Sequence, residues 1–286
     1  MLNNWCFHRH KGYLLLLVSL MCISTSDAQV NTEAMRREDL KYGMHIDLAG
    51  NIGYTDGNSD LFQNRSKLRL DYVQDWGHAF LVANYRLGSK DEILFINKGF
   101  THLRAVKPLK PALSGELFIQ KGFNEFVQIQ DRQLIGLGLR VKWHELEVFR
   151  KKCEHLHLST GEGLMSEREQ IDSGPDGTMG DPVHGSLANL IRSTNYIVLG
   201  WKPKDSFSIL TTGYFQLDTR RAEDYRVLAQ STLKASITKR LALTVNMNLR
   251  YDSEPPGEVK ALDIDLTNGF EYAFRQQDQV PKNSQQ

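Results

Sequence analysis

The sequence predicts an all-β fold, a closed antiparallel transmembrane β-barrel of about twelve strands, on three observations. Segments with period-two hydrophobicity follow one another between residues 41 and 275. A strand sets successive side chains on opposite faces, so each segment has an apolar side and a polar side. The connections tend to alternate between short and long, as in a barrel with tight turns at one rim and loops at the other. The polar sides also carry many charges, whose burial in a dry sandwich core would cost several kcal/mol each unless paired. A watery or ion-paired lumen removes that cost, and a closed sheet satisfies every backbone group inside a bilayer.

Composition narrows the class. Charge is nearly balanced, 35 basic residues against 34 acidic, which gives no footing for a nucleic-acid partner. The mean hydropathy of −0.41 excludes a bundle of membrane helices but not a barrel, whose strands hide apolar residues in alternation. At the N-terminus, His8, Arg9, His10 and Lys11 precede an apolar run from Tyr13 to Ile23, with Ser26 and Ala28 at the small-residue positions of a cleavage site. This predicts a secretory signal peptide over residues 1–28. A lipoprotein anchor at Cys22 is disfavoured by Met21, which stands where a small residue is usual. Removal of the signal leaves Cys153 alone, so neither an internal disulfide nor a Cys/His metal cluster is expected. Residues 29–40 then form a short periplasmic N-terminal segment, 41–275 the barrel and 276–286 a polar tail.

The first segment, Tyr42 to Tyr54, sets Met44, Ile46, Leu48, Ile52 and Tyr54 against His45, Asp47, Ala49 and Asn51, and ends at the turn signal Thr55-Asp56-Gly57-Asn58. The second, Leu61 to Val73, opposes Phe62, Leu68, Leu70 and Tyr72 to a basic ladder of Arg65, Lys67 and Arg69. The third is Ala79 to Leu87. The fourth, Ile93 to Leu103, alternates less cleanly, and the fifth, Ala112 to Gly122, follows the proline-bearing turn 107–111. In the sixth, Ile135, Leu137, Leu139, Val141 and Trp143 face away from Gly136, Gly138, Arg140 and Lys142. The seventh is placed at His155 to Met165. Residues 166–186, with Gly174-Pro175-Asp176-Gly177 and Gly180-Asp181-Pro182, read as the longest loop. Segments eight (Leu187 to Trp201) and nine (Phe207 to Leu217) are apolar on both faces, which leaves their orientation open. The tenth, Tyr225 to Ile237, carries Arg226 and Lys234 on its polar face, and the eleventh, Leu241 to Tyr251, carries Arg250. The twelfth, Ala261 to Phe274, alternates Leu262, Ile264, Leu266, Phe270, Tyr272 and Phe274 with Asp263, Asp265, Thr267 and Glu271.

Under this assignment Asp47, Arg65, Lys67, Arg69, Arg140, Lys142, Arg226, Lys234, Arg250, Asp263, Asp265 and Glu271 share the inward face and are candidate lumen-lining charges. Trp76, Trp143, Trp201 and Phe274 fall at strand ends that meet one interface, as an aromatic girdle would. Asp181, His184 and Ser186 are close in the long loop, but sequence proximity does not make a catalytic triad and the composition is ordinary for a loop. Cys153, beside Lys151, Lys152 and Glu154, reads as a chance cysteine in a charged turn rather than a reactive thiol. The acidic residues Asp56, Asp60, Glu162, Glu167, Glu169, Asp172, Asp176, Asp181 and Glu254 are assigned to outer loops, lack EF-hand spacing and read as solvated. No catalytic residue, cofactor or metal is expected.

Tyr54-Thr55-Asp56-Gly57-Asn58-Ser59-Asp60, Gly136-Leu137-Gly138-Leu139-Arg140, Tyr225-Arg226-Val227 and Arg250-Tyr251-Asp252-Ser253-Glu254-Pro255-Pro256 stand before a final D-x-x-x-x-N-G-F-E-Y-x-F. Together they resemble the family catalogued as domain of unknown function 481, also described as salt-stress-induced outer-membrane proteins. The resemblance runs roughly from Ile46 to Phe274, with a longer turn at His144 to Glu154. It implies a barrel in the outer membrane of a Gram-negative bacterium and supplies no activity, hence no catalytic residues. The expected partners are outer-membrane lipids and lipopolysaccharide, with the barrel-assembly machinery meeting the C-terminal strand from Thr267 to Phe274. Three roles follow: a narrow pore for small solutes, anionic ones included; a non-conducting structural or envelope-stress barrel with outer loops for a partner or ion; and, third, a lipid-active enzyme. Twelve strands lie between the filled eight-stranded barrels and the open sixteen-stranded ones. Pore or plug therefore turns on whether the basic ladder of the second strand pairs across the lumen with Asp47, Asp263, Asp265 and Glu271.

Overall fold

A computed structural model describes residues 36–37, 40–57, 60–172, 185–238, 240–257 and 259–272. The expected signal peptide and polar tail, together with Phe274, Asp176, Asp181 and His184, lie outside the described residues. Twelve strands follow in order: β1 (Gly43–Thr55), β2 (Leu61–Gln74), β3 (Gly77–Lys90), β4 (Ile93–Lys110), β5 (Leu113–Asn124), β6 (Ile129–Lys142), β7 (Leu156–Ile171), β8 (Leu187–Lys204), β9 (Phe207–Asp218), β10 (Tyr225–Ser236), β11 (Leu241–Asp252) and β12 (Leu262–Tyr272). Each pairs antiparallel with the next, so one sheet runs in sequence order from β1 to β12. Among the described residues β1 pairs with β2 and β12 with β11, and no β1–β12 ladder is formed.

The connections explain the strand ends. Residues 75–76, 111–112 and 205–206 make tight turns at one rim, and residues 143–155 make the long exception there, with a single-turn helix, α1 (Glu147–Lys152). In the 205–206 turn Lys202 sits 2.9 Å from Asp205, and that hydrogen bond and charge hold the carboxyl below its usual range. At the opposite rim β3 turns into β4 through Asp91 and Glu92, both left-handed, with φ of 49° and 66°. A two-residue hairpin of this hand matches the twist of its strands, but it normally takes Asn-Gly or Asp-Gly.

Two expectations are corrected. Residues 166–171, read as the start of the long loop, continue β7 to Ile171. Met165, Glu167, Glu169 and Ile171 are buried there while Ser166, Arg168 and Gln170 are exposed. Both faces are polar, so alternation of hydrophobicity could not reveal the strand. Glu162, Glu167 and Glu169 accordingly belong to β7 and not to a loop, and Glu167 and Glu169 are buried rather than solvated. The structure also orients β8 and β9. Ala188, Leu190, Arg192 and Thr194 turn to the buried side, and Leu187, Ile191, Ile197 and Leu199 to the exposed side.

The burial pattern inverts that of a water-soluble domain. The apolar side of the sheet is bare: Leu48 is 79% exposed, Phe270 74% and Leu137 62%. The charged side is covered: Arg192 is 0% exposed and Glu167 1%. The sheet achieves this by curling. Arg226 on β10 reaches Glu167 on β7 at 2.7 Å, although strands three apart in a flat sheet lie about 14 Å from each other. Glycines admit the enclosed aromatics. A Cβ at Gly161 would run into the Tyr196 ring and one at Gly136 into Phe118.

The strained hairpin gives a test. An L-residue in the left-handed region costs about 1–2 kcal/mol, and glycine returns about 0.5–1 kcal/mol of that as unfolded-state entropy. Glu92→Gly should therefore raise the unfolding free energy by about 0.5–1 kcal/mol in urea titration of the folded protein; a loss of stability would show that the turn is not of this hand.

Candidate functional site

The register places all twelve predicted lumen charges on the covered side of the sheet. Asp47 lies opposite Arg69, with Lys67 and Arg65 further along β2 on the same face. Arg140 and Lys142 follow on β6, Arg226 and Lys234 on β10, Arg250 on β11, and Asp263, Asp265 and Glu271 on β12. They do not form one site. Arg69, Arg140, Arg226 and Arg250 are buried, whereas Asp47, Arg65, Lys67 and Glu271 are exposed.

The densest chemistry centres on β7 and β8, strands on which the sequence singles out no lumen charge. Glu167, midway along the outer half of β7, collects three guanidinium groups. Arg192 on β8 donates from Nε at 2.6 Å, Arg226 on β10 from Nη1 at 2.7 Å, and Arg132 on β6 stands with Nη2 at 2.5 Å. Glu169, one pleat further out, lies 3.2 Å from Arg132 and 3.4 Å from Arg226. Arg192 also forks onto Asp224, with bonds of 2.7 and 2.8 Å, and Arg226 reaches Asp252 at 2.8 Å. Three buried arginines (Arg132, Arg192, Arg226) thus meet four buried carboxylates (Glu167, Glu169, Asp224, Asp252), and Arg250, also buried, sits opposite Asp263 in the ladder. Bidentate and charge-assisted bonds of this kind hold a geometry firmly. The cluster lies toward the loop-bearing end of the covered face.

A second layer lies nearer the tight turns. Glu116 on β5 accepts from Arg104 at 3.0 Å and stands 3.4 Å from the Tyr196 hydroxyl on β8. Between the layers is a cavity of about 50 Å³ beside Phe118, Met165, Tyr196 and Tyr214. That holds a few waters, whereas sites for organic ligands run to several hundred Å³.

The basic ladder of β2 is split. Arg69 forks onto Asp71 of its own strand, with bonds of 2.5 and 2.6 Å, and His78 adds a contact at 2.9 Å. Arg65 and Lys67 are exposed and form no ion pair among the described residues. Asp265 lies opposite Asn248, and Glu271 pairs with Lys234 at 2.6 Å on the open part of the same face. Arg69 thus turns to Asp71 of its own strand, and Glu271 to Lys234.

Trp76, Trp143 and Trp201 are 45%, 38% and 44% exposed, and Trp143 donates from Nε1 to Thr160 at 2.9 Å. Ser186 is exposed at the start of β8, and Cys153 is half-buried beside α1. No group of three His, Cys, Asp or Glu residues with metal-holding geometry occurs among the described residues. The residues missed from sequence, Arg104, Glu116, Arg132, Glu167, Glu169, Arg192 and Asp224, left one faint signal. Glu167 and Glu169 keep a period of two before the glycine and proline turn signals begin at Gly174.

The profile of a family described as "Protein of unknown function, DUF481" matches residues 48–274. Among solved structures, the NanC porin in a rhombohedral crystal form is similar, with 10% identity and a TM-score of 0.40. The match covers 80% of this chain and 99% of that one. No curated protein matches.

The two kinds of pair should differ sharply in energy. Glu167→Gln leaves three buried guanidinium groups short of their counter-charge and should cost about 3–5 kcal/mol. Glu271→Gln breaks a pair whose side chains are 57% and 41% exposed and should cost under about 1 kcal/mol. Urea unfolding followed by tryptophan fluorescence would compare them, and similar losses would mean that the Glu167 cluster is not enclosed.

Proposed function

The chain belongs to the DUF481 family of proteins of unknown function, and we propose that it is an outer-membrane β-barrel whose lumen is occluded by its own ion pairs. It would act as a non-conducting structural barrel with its loops free for a partner. The observation that carries this reading is the inversion of burial: apolar residues bare on the outside, paired arginines and carboxylates within. Water favours the opposite arrangement, whereas a bilayer favours this one. No helix among the described residues is long and apolar enough to cross a membrane, so a crossing falls to the strands. The signal read over residues 1–28 supports export, and export with strand-borne crossing supports the outer membrane.

Barrel closure is part of the proposal. Unpaired N–H and C=O groups cost several kcal/mol each in hydrocarbon, so the free edges of β1 and β12 have a strong reason to pair there. Their alternation is in phase for it. Met44, Ile46 and Leu48 on β1 face the same way as Leu262, Ile264 and Leu266 on β12, and all six are exposed.

A narrow pore is the second reading, favoured by Arg65 and Lys67, which line the part of the inner face that the clusters leave open. Such a pore would select anions. Planar-bilayer recording of the purified protein separates the two. Silence is expected; unitary steps with anion preference that Arg65→Glu/Lys67→Glu removes would establish the pore instead. The membrane itself is tested by a neighbouring pair. Val245→Arg places a charge on the outer face and should cost about 2–4 kcal/mol near the midplane, while Asn246→Arg, one residue on and facing inward, should be mild. Equal costs in a vesicle folding assay would sink the lipid-facing assignment.

A further inference from the structure

Arg36 and Arg37 precede β1 and belong to no strand, and the sequence places them in a periplasmic segment. The structure puts Arg36 inside the curled sheet. Its Nη2 lies 2.5 Å from Oε1 of Glu116, a residue 80 positions away, and the two side chains are 8% and 5% exposed. The other carboxylate oxygen, Oε2, already accepts from Arg104 at 3.0 Å and faces the Tyr196 hydroxyl at 3.4 Å. Three strands, β4, β5 and β8, thus build a socket around Glu116 without help from the N-terminal segment, and Arg36 enters it as a guest.

Arg37 takes a different wall. Its Nη1 lies 2.5 Å from Asp47 on β1 and 3.8 Å from the buried Asp71 on β2. Two consecutive arginines therefore staple the β1–β2 end of the sheet to β5, across the enclosed space. A guanidinium suits this task because it is always charged and its planar fork of donors matches a carboxylate.

We propose that the Glu116 socket is a binding site for a guanidinium group, filled in this chain by its own Arg36, and that the arginine pair closes the tight-turn end of the lumen from within. This rests on the occluded-barrel reading, but its test does not measure conduction, so the two can fail separately. Withdrawal of Arg36 would free Oε1 of Glu116, next to the cavity beside Tyr196 and Phe118, to take a small alkylguanidinium ion.

The folded full chain in detergent micelles serves for both measurements. The first is trypsin cleavage after Arg36, read by intact mass. The seated Arg36 side chain is 8% exposed, so the unaltered chain should be cut there at least tenfold more slowly than Glu116→Gln. The second uses Arg36→Ala, which leaves every residue of the sheet in place and so does not depend on Glu116→Gln folding well. Millimolar ethylguanidinium should raise the melting temperature of Arg36→Ala more than equimolar ethylammonium does. It should give no such preference in the unaltered chain or in Arg36→Ala/Glu116→Gln. Equal cleavage rates would overturn the seating of Arg36. Equal responses to the two cations in Arg36→Ala would overturn the guanidinium site. Bilayer silence combined with either of those failures would leave the occluded barrel standing without its latch.

Discussion

Glu167 gathers its third arginine only because the sheet is curved. A carboxylate withdrawn from water needs its counter-charge within the same enclosure, because an unpaired buried charge costs more than any single contact returns. Two of its partners, Arg132 and Arg192, come from the strands on either side. The third, Arg226, comes from β10, and a flat sheet would hold it out of reach. Ion pairing and curvature are thus one constraint: the curl brings the arginines in, and the arginines hold the curl. Asp224 and Asp252 then absorb the charge that Arg192 and Arg226 bring in excess of Glu167.

The same constraint explains what the sequence could and could not disclose. Period-two alternation is plain in β1, β11 and β12, where one face is apolar and the other polar. It fades in β8, because the covered face of the curled sheet takes Ala188, Leu190 and Tyr196 along with Arg192, so both faces look apolar in sequence. It fails in the last turns of β7, where Ser166, Arg168 and Gln170 face outward near the rim and leave no apolar face to count. The partners of the charges were further from view. The sequence leaves open whether Arg69 pairs with carboxylates across the lumen; Asp71, two residues along the same face, reaches it first. Glu167 and Arg226 lie 59 residues apart, and only the curl brings them together. Local spacing encodes the face on which a residue lies. Which residues then meet across the lumen depends on closure geometry, which no local period contains.

The charges are also unevenly spread around the sheet. From β4 to β11 the inner face is filled by paired groups and by aromatics lying over Gly136 and Gly161. On β1 and β12 both faces are largely exposed, and their inner charges find partners at the edge of the sheet or on the preceding segment, as Asp47 does with Arg37. Stability follows contact, so the two halves of the sheet are not equivalent. The stretch from β6 to β10 is the stiff part, and the edge strands are held chiefly by a single ladder each.

That asymmetry sets what the edges need. A strand with one ladder and no covered face is marginal in water and untenable in hydrocarbon, where its outer row of N–H and C=O groups goes unmet. Pairing β1 with β12 would answer the backbone, and lipid would answer the apolar faces of both. Neither answers the inner face of β1, where Asp47 stands among exposed neighbours. Arg37 does so, while Arg36 beside it takes hold of Glu116 on the packed side. Two adjacent residues outside the sheet therefore connect its weakest strand to its packed half, through charges that the packed half holds in place with or without them.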